Sequence, residues 1–119
     1  MRVDVRQSAL TLQTEELGGA ICVSAIGEVD LANAEMLAKA LDEAISRGTD
    51  VVLLDMTQMR FIDSAGLNVL LGATNRLREK SHELRLVVSE TSHPARVIRL
   101  GRFDAVMPVF TSREDALRQ

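Results

Sequence analysis

Four consecutive apolar residues, Val-Val-Leu-Leu at 51–54, lie between two stretches that have the apolar spacing of amphipathic helices. Such a continuous run is typical of a strand that is covered on both faces, as in the centre of a parallel sheet. We expect the preceding helix to start near Asn33 and to stop at Gly48, and the following helix to span residues 64–80. A buried strand joined to a helix on each side predicts an α/β fold with right-handed crossovers.

The segment before the first helix predicts a β-hairpin. Leu10, Leu12 and Thr14 alternate with polar neighbours, and residues 20–26 form a second strand-like run. Gly18 and Gly19 separate the two runs and favour a tight turn. The first strand pair is therefore expected to be antiparallel.

The part of the chain after residue 80 predicts only short helices and strands. The elements that it predicts are a strand at 84–88, a short helix from Pro94 to Leu100 that stops at Gly101, an edge strand at 106–110 containing Pro108, and a helical turn at 113–118. Together with the hairpin, these elements predict a small mixed β-sheet, in which an N-terminal antiparallel hairpin precedes parallel strands joined by helices.

Composition limits the possible functions. The 119 residues are 46% hydrophobic and 26% charged, and no Pro- or Ser-rich linker divides them, so we expect a single domain over residues 1–119. The net charge of -3 argues against nucleic acid as a partner, and three Phe without Trp or Tyr provide no stacking platform for single strands. No apolar run approaches the roughly 18 residues of a membrane span.

The single cysteine, Cys22, allows no internal disulfide and too few ligands for a thiolate metal cluster. Cys22 is expected to be a strand residue in the core. The amino terminus has no apolar segment of signal-peptide length. The sequence therefore predicts a cytoplasmic protein without metal or cofactor and without a membrane partner.

The pair Asp63-Ser64 stands where a loop after the buried strand meets the second helix. One of the two is expected to cap the helix, which leaves the Ser64 hydroxyl near solvent. Ala65 and Gly66 are small and leave room for another protein's active site to approach. Unpaired N–H groups and the helix dipole would stabilise a phosphate on Ser64, so the domain should stay folded when it is modified. The alternative is that the pair serves only as a cap.

The face of the second helix opposite its leucines is nearly uncharged. Its residues are Ala65, Asn68, Val69, Gly72, Ala73 and Arg76. A solvated helix face normally carries more charged residues, whereas the cores of protein interfaces contain few of them. This face is therefore a candidate partner-binding surface. The alternative is that it packs under another element of the same fold.

Parallel strands place functional loops at their carboxyl ends. In this chain those ends are expected at residues 27–30, with the sequence Gly-Glu-Val-Asp, and at residues 55–64. Glu28 and Asp30 are therefore expected to lie near Asp63 and Ser64.

Four blocks of the chain resemble the STAS domain of bacterial anti-sigma factor antagonists. The blocks are Gly-Glu-Val-Asp at 27–30, the strand at 51–55, Phe-Ile-Asp-Ser-Ala-Gly-Leu at 61–67, and the late segment from Gly101-Arg102-Phe103-Asp104-Ala105-Val106 to Ala116-Leu117. They occur in the family's order and spacing over nearly the whole chain. Asp-Ser-x-Gly-Leu alone is moderately specific, whereas the four blocks together are strongly so.

The resemblance implies a partner-switching protein and not an enzyme. Unphosphorylated members bind an anti-sigma factor serine kinase, which releases a sigma factor, and phosphorylation of the serine that matches Ser64 ends the binding. A serine phosphatase resets the switch. Glu28 and Asp30 match the family's acidic loop, where the aspartate contributes to docking, and Ala65 stands where many relatives have a second serine. We expect a monomer when the protein is free.

Three alternatives remain open. A receiver domain would be phosphorylated on Asp55 after the buried strand, but neither Lys39 nor Lys80 is placed to complete its site. A serine hydrolase would need His82 or His93 as a base, and both are expected to be ordinary surface residues; the glycine of a nucleophile elbow is absent too. Some STAS domains are non-switching subunits of stress-signalling or lipid-transport complexes, which the sequence does not exclude.

Overall fold

The computed structural model describes the backbone of residues 3–7 and all of residues 9–118. Its strands are β1 (Val3–Gln7), β2 (Leu10–Leu17), β3 (Ala20–Val29), β4 (Val51–Asp55), β5 (Met59–Ile62), β6 (Glu83–Val87) and β7 (Val109–Phe110). Its helices are α1 (Ala34–Ser46), α2 (Ser64–Glu79), α3 (His93–Leu100) and α4 (Arg113–Leu117), with a 3-10 turn at Phe103–Ala105.

Within the described residues the strands form one mixed sheet in the order β1-β2-β3-β4-β6-β7, and β5 pairs with β3 beyond the end of β4. The pairs β1/β2 and β2/β3 are antiparallel, whereas β3/β4, β3/β5, β4/β6 and β6/β7 are parallel. The predicted fold class is therefore confirmed. The central position of β4 explains why its sequence is a continuous apolar run.

The β2–β3 hairpin has the two-residue turn that the sequence predicts. Leu17 pairs with Ala20, and the glycines between them have φ angles of +53° and +88°. Both turn residues thus lie in the left-handed region, as in a type I′ turn, where glycine carries no steric penalty.

The main hydrophobic core lies on one side of the sheet, which we call the helix face and define by the inward-pointing Ile21, Val23 and Leu54. Helices α1 and α2 cover it with Leu37, Leu41 and Leu70, all fully buried. Burial of a Leu or Ile side chain contributes about 1.5–3 kcal/mol, so this layer supplies most of the stability of the fold.

The alternate residues of the same strands point to the other side, which we call the α4 face. Cys22, Leu53 and Val87 are buried there beneath Ala116 of α4. This second cluster is much smaller than the first, because α4 is only five residues long. The prediction that Cys22 is a core strand residue is confirmed.

Several boundaries differ from the sequence-based expectation. Residues 59–62, expected in a loop, form the short strand β5, and β3 continues to Val29 rather than ending at residue 26. Strand β1 was not predicted, although Val3 and Val5 alternate with charged residues. The last strand starts at Val109 and not at 106, because the 3-10 turn and Pro108 precede it.

Helix α3 ends at Leu100 as the sequence predicts, but it starts at His93, one residue before the predicted start, and its end has a different cause. The Ser92 hydroxyl accepts the Ala95 N–H at the start of the helix, and Pro94 lies in the first turn. Gly101 has a right-handed φ of -85°, and the left-handed residue is Arg102. A Cβ on Gly101 would lie 2.3 Å from the Phe103 ring, so the glycine is required for space and not for backbone conformation.

Candidate functional site

The two acidic segments of the sequence meet at adjacent strand ends. Strands β3 and β5 are parallel, with Glu28 opposite Phe61 and Val29 opposite Ile62. Asp30 and Asp63 directly follow these strands, and the Asp63 N–H donates to the Val29 carbonyl at 3.2 Å. The register therefore sets the two segments side by side.

Asp63 is the residue that caps α2. Its Oδ1 accepts the Ala65 N–H at 2.9 Å and the Gly66 N–H at 3.1 Å. Ser64 is the first residue of the helix and is exposed. The expectation of unpaired N–H groups for a phosphate is thus only partly met, because the Asp63 carboxylate already occupies two of them.

Gly66 lets the start of α2 approach the sheet closely. A Cβ at this position would lie 2.6 Å from Ile62 Cγ1 and 2.8 Å from Val29 Cγ1. Both carbons are bonded directly to the Cβ of a β-branched side chain in the core, and such side chains cannot simply swing aside. Gly66 therefore sets the depth at which Ser64 sits over the strand ends.

The loop between β3 and α1 is braced by its own polar side chains. Asp30 Oδ1 accepts the Ala32 N–H at 2.9 Å. Asn33, only 2% exposed, accepts the Asp30 N–H with Oδ1 and donates from Nδ2 to the Glu28 carbonyl, both at 2.9 Å. The sequence pattern identified Asn33 only as the start of a helix, yet its side chain orders the acidic loop.

Glu28 and Leu31 extend the surface around this loop. Glu28 Oε2 lies 3.7 Å from Arg60 Nη2, and both side chains are well exposed, so this ion pair adds little stability. Leu31 is 83% exposed.

The α2 face that the sequence indicated as a partner surface is only partly available. Asn68 and Arg76 are exposed, and Ala65, Val69 and Gly72 are half-buried. Ala73 is 0% exposed and lies in the core, so its assignment to a partner surface is wrong. Gly66 is buried as well, and its role is the close approach described above.

Part of the same face packs against α1. Ala65 and Val69 contact the main core, and the Arg76 guanidinium forms an ion pair of 2.6 Å with Asp42 on α1. The small residues on α2 therefore allow the helix to pack closely within the fold, and they also leave room for another protein to approach Ser64. The alternative that this face packs against another element of the same fold therefore holds for the part of α2 near Ala73 and Arg76. Ser64 and Asn68 lie at the surface.

Asp55 is not a free carboxylate at a strand end. It is 8% exposed, its Oδ2 accepts Arg113 Nε at 2.7 Å, and its Oδ1 accepts the Thr57 N–H and hydroxyl. Burial raises the pKa of the Asp55 carboxyl, but the hydrogen bonds from Thr57 and Arg113 outweigh burial and hold it below its ordinary value. These bonds occupy both oxygens that a receiver would use for phosphate chemistry.

Neither histidine is the ordinary surface residue that was expected. His93 is half-buried, stacks on Phe61 with ring centroids 5.0 Å apart, and its Nδ1 lies 3.4 Å from the Ile62 N–H, which donates to it. His82 Nε2 lies 3.4 Å from Asp50, and its Nδ1 is buried without a hydrogen-bond partner among the described residues. Both imidazoles therefore have structural surroundings that no sequence pattern revealed.

Cys22 lies beneath α4 and is fully buried. Burial raises the pKa of its thiol to about 11, so the thiol is protonated and unreactive near neutral pH. Among residues 3–7 and 9–118, no group of three or more His, Cys, Asp or Glu side chains could hold a metal ion. No helix in this part of the chain is both long and apolar enough to cross a membrane.

Comparison with known proteins adds independent findings. The family model for the STAS domain matches residues 11–116. BtrV of Bordetella bronchiseptica, named as a candidate anti-sigma factor antagonist, is 33% identical over 107 residues that cover 90% of this chain and 91% of BtrV. The anti-sigma F factor antagonist of Paenibacillus polymyxa is 28% identical over 112 residues, covering 92% and 94% of the two chains.

A solved structure agrees with these sequence matches. The crystal structure of an anti-sigma factor antagonist from Mycobacterium paratuberculosis has a TM-score of 0.82 against this chain, with 25% identity and coverage of 91% of each chain. The similarity therefore includes the whole arrangement of sheet and helices and not only the sequence around Ser64.

Proposed function

This chain belongs to the STAS domain family, and we propose that it is an anti-sigma factor antagonist whose binding is switched by phosphorylation of Ser64. In its unphosphorylated form it binds an anti-sigma factor that is also a serine kinase, and this binding releases a sigma factor. The protein itself is a binding partner and not an enzyme, and it acts in the cytoplasm.

One observation carries the proposal. Ser64 is an exposed hydroxyl at the first residue of α2, held by the Asp63 cap beside the acidic loop that contains Asp30. A kinase can reach this hydroxyl without unfolding any part of the domain. The names of the relatives support the partner class, because an antagonist of an anti-sigma factor acts by binding it.

The mechanism we propose is repulsion in the interface. A phosphoserine adds about -1.5 to -2 charges near neutral pH. The Asp63 carboxylate already accepts the Ala65 and Gly66 N–H groups. A phosphate on Ser64 would therefore lie next to a negative charge, on a surface to which the partner had bound when Ser64 carried a neutral hydroxyl. Each close like-charge contact costs on the order of 1–4 kcal/mol, depending on exposure. That is about five- to a thousandfold in affinity.

The fold should survive this change. The positive end of the helix dipole contributes ~0.3–1 kcal/mol toward a negative group in the first turn. This gain is present in both the free and the bound protein, so it keeps α2 intact without restoring the affinity for the partner. Phosphate transfer uses ATP held by the partner kinase, and a serine phosphatase returns the chain to its binding form.

The experiment is a capture assay from the native cytoplasm with wild type, Ser64→Ala and Ser64→Glu. We expect Ser64→Ala to retain an ATP-dependent kinase and Ser64→Glu to lose it. Ser46→Glu is the matched control, since Ser46 is an exposed helical serine at the end of α1 and adds the same charge away from the site. It should bind as wild type does.

The outcomes separate this proposal from its main alternative. Loss of the partner in Ser64→Glu alone supports the switch. Equal retention by all three variants would contradict it and would instead indicate a non-switching subunit of a larger assembly. Phosphate incorporated by the captured kinase at any residue other than Ser64 would also contradict the assignment.

A further inference from the structure

We propose that Arg113, at the far end of the chain, is a positioning residue for Ser64 that acts through Asp55 and the turn between β4 and β5. Arg113 lies on α4 and its guanidinium crosses three strands. Nε donates to Asp55 Oδ2 at 2.7 Å, Nη2 donates to Ser24 Oγ at 2.8 Å, and Nη1 lies 3.7 Å from Glu15 Oε2. This inference rests on the proposed function of Ser64.

Asp55 connects two neighbours with its two oxygens. Oδ2 accepts Arg113, whereas Oδ1 accepts the Thr57 N–H at 2.9 Å and the Thr57 hydroxyl at 2.7 Å. Because Arg113 and Thr57 bind the same carboxylate, the ion pair with Arg113 fixes the orientation of the carboxylate plane and so the direction in which Oδ1 points toward Thr57. Without Arg113, a nearly buried carboxylate would lose its counter-charge and would gain by rotating toward water or taking up a proton.

The turn held by Asp55 determines the register of β5. The Thr57 carbonyl accepts the Ser89 hydroxyl at 3.0 Å, and the Gln58 carbonyl accepts the Gly27 N–H at 3.1 Å. The second bond starts the pairing of β5 with β3. At the other end of the four-residue strand β5, the same pairing brings the Asp63 N–H to the Val29 carbonyl. This contact places Ser64 beside the acidic loop.

A second arginine provides a matched control. Arg85 Nη1 donates to the Ala116 carbonyl at 2.7 Å, and its Nε pairs with Glu83 at 2.6 Å. Arg85 therefore holds α4 on the sheet as Arg113 does, but neither of these partners belongs to the β4–β5 turn. Any effect that comes only from loosening α4 should appear equally in Arg85→Met and Arg113→Met.

The first measurement is amide hydrogen exchange on the full chain. Arg113→Met and Thr57→Val should each speed exchange at residues 62–66 by about tenfold, as expected for a local opening. Arg85→Met should speed exchange only in α4. The double variant Arg113→Met/Thr57→Val should be no faster than either single variant, because both remove the same connection.

The second measurement is phosphate transfer by the kinase captured on Ser64→Ala. We expect kcat/KM for Arg113→Met to fall by roughly tenfold or more, mainly in kcat, since a displacement of about 1 Å can cost up to a hundredfold. Arg113→Lys should recover part of the rate because it keeps the charge toward Asp55, and Arg85→Met should match wild type.

Two results would overturn the inference: equal effects of Arg85→Met and Arg113→Met, or wild-type exchange at residues 62–66 in Arg113→Met. Failure of the proposed function is a separate outcome. If wild type accepts no phosphate at Ser64, the exchange measurement still decides whether Arg113 positions this segment.

Discussion

The two faces of the sheet are held in different ways. On the helix face, large aliphatic side chains such as Leu54 of β4 and Leu70 of α2 are fully buried between the sheet and the helices α1 and α2. On the α4 face, a short helix covers a small cluster and is fixed by Arg113 on Asp55 and Arg85 on the Ala116 carbonyl. Apolar packing thus supplies stability on one face, whereas a few directional bonds fix the position of one helix on the other.

This difference separates stability from positioning. Apolar burial is roughly proportional to area and tolerates small shifts. A charged hydrogen bond is directional, and removing one partner of a buried pair leaves the other uncompensated. The α4 face is therefore the place where the loss of a single polar contact alters the geometry of the fold.

The largest expected effect compares adjacent leucines of β4, both 0% exposed. Leu54→Ala, on the helix face, should lower the free energy of unfolding by about 2–5 kcal/mol. Leu53→Ala should lie at the lower end of that range, because the short helix over it can settle into the cavity. Urea unfolding followed by circular dichroism measures both, since the chain has no Trp or Tyr for fluorescence. Equal losses would contradict the comparison.

A smaller effect is expected within α2. Gly66→Ala should cost about 1–3 kcal/mol by overpacking against Val29 and Ile62. Gly72→Ala is the control on the same helix, because its Cβ would meet only the flexible end of Arg76, at 3.3 Å. That variant should be neutral or more stable by up to ~1 kcal/mol. Thermal unfolding of the two variants checks the pair, and a destabilised Gly72→Ala with an unaffected Gly66→Ala would contradict it.

The smallest effect is a pH dependence that belongs to the α4 face. Hydrogen bonds from Thr57 and Arg113 outweigh burial and hold the pKa of Asp55 below its ordinary value. A depressed carboxyl pKa contributes stability above the unfolded-state value of about 3.9 and loses it as the pH falls through the folded-state value.

Asp55→Asn should remove this acid-dependent contribution. The stability difference between wild type and Asp55→Asn is therefore expected to be constant near neutral pH and to shrink as the pH falls below about 4. Urea titrations at a series of pH values measure it. A difference that grows toward acid would contradict the assignment.

Local patterns predicted most of the fold and part of the site. The continuous apolar run at 51–54, the 3.6-residue spacing of the helices and the Gly18-Gly19 turn are each properties of short segments, so they can be read without knowing the partners. Ser64 was identified in the same way, from a cap pattern and a family resemblance. Strand β5 was missed because its pairing with β3 is set by a distant segment.

The burial of α2 residues shows the same limit. The sequence indicated that Asn68 and Ala73 lie on one weakly charged face, but the packed structure leaves Asn68 exposed and encloses Ala73 in the main core. The spacing of residues in a helix shows on which side of the helix each residue lies. How much of that side is buried depends on the elements that pack against the helix.

The sequence by itself determined the order of the four helices and of every strand except β1 and β5, the central place of β4, and the exposed serine at the start of α2. Hydrophobic period and capping act within a few residues, which is why the sequence alone could reveal them. Only the tertiary structure decided that Arg113 meets Asp55, 58 positions earlier in the chain, and that Asn33 and His93 brace the segments around Ser64. Such polar contacts depend on directional geometry between distant segments, which exists only after the apolar layers have packed.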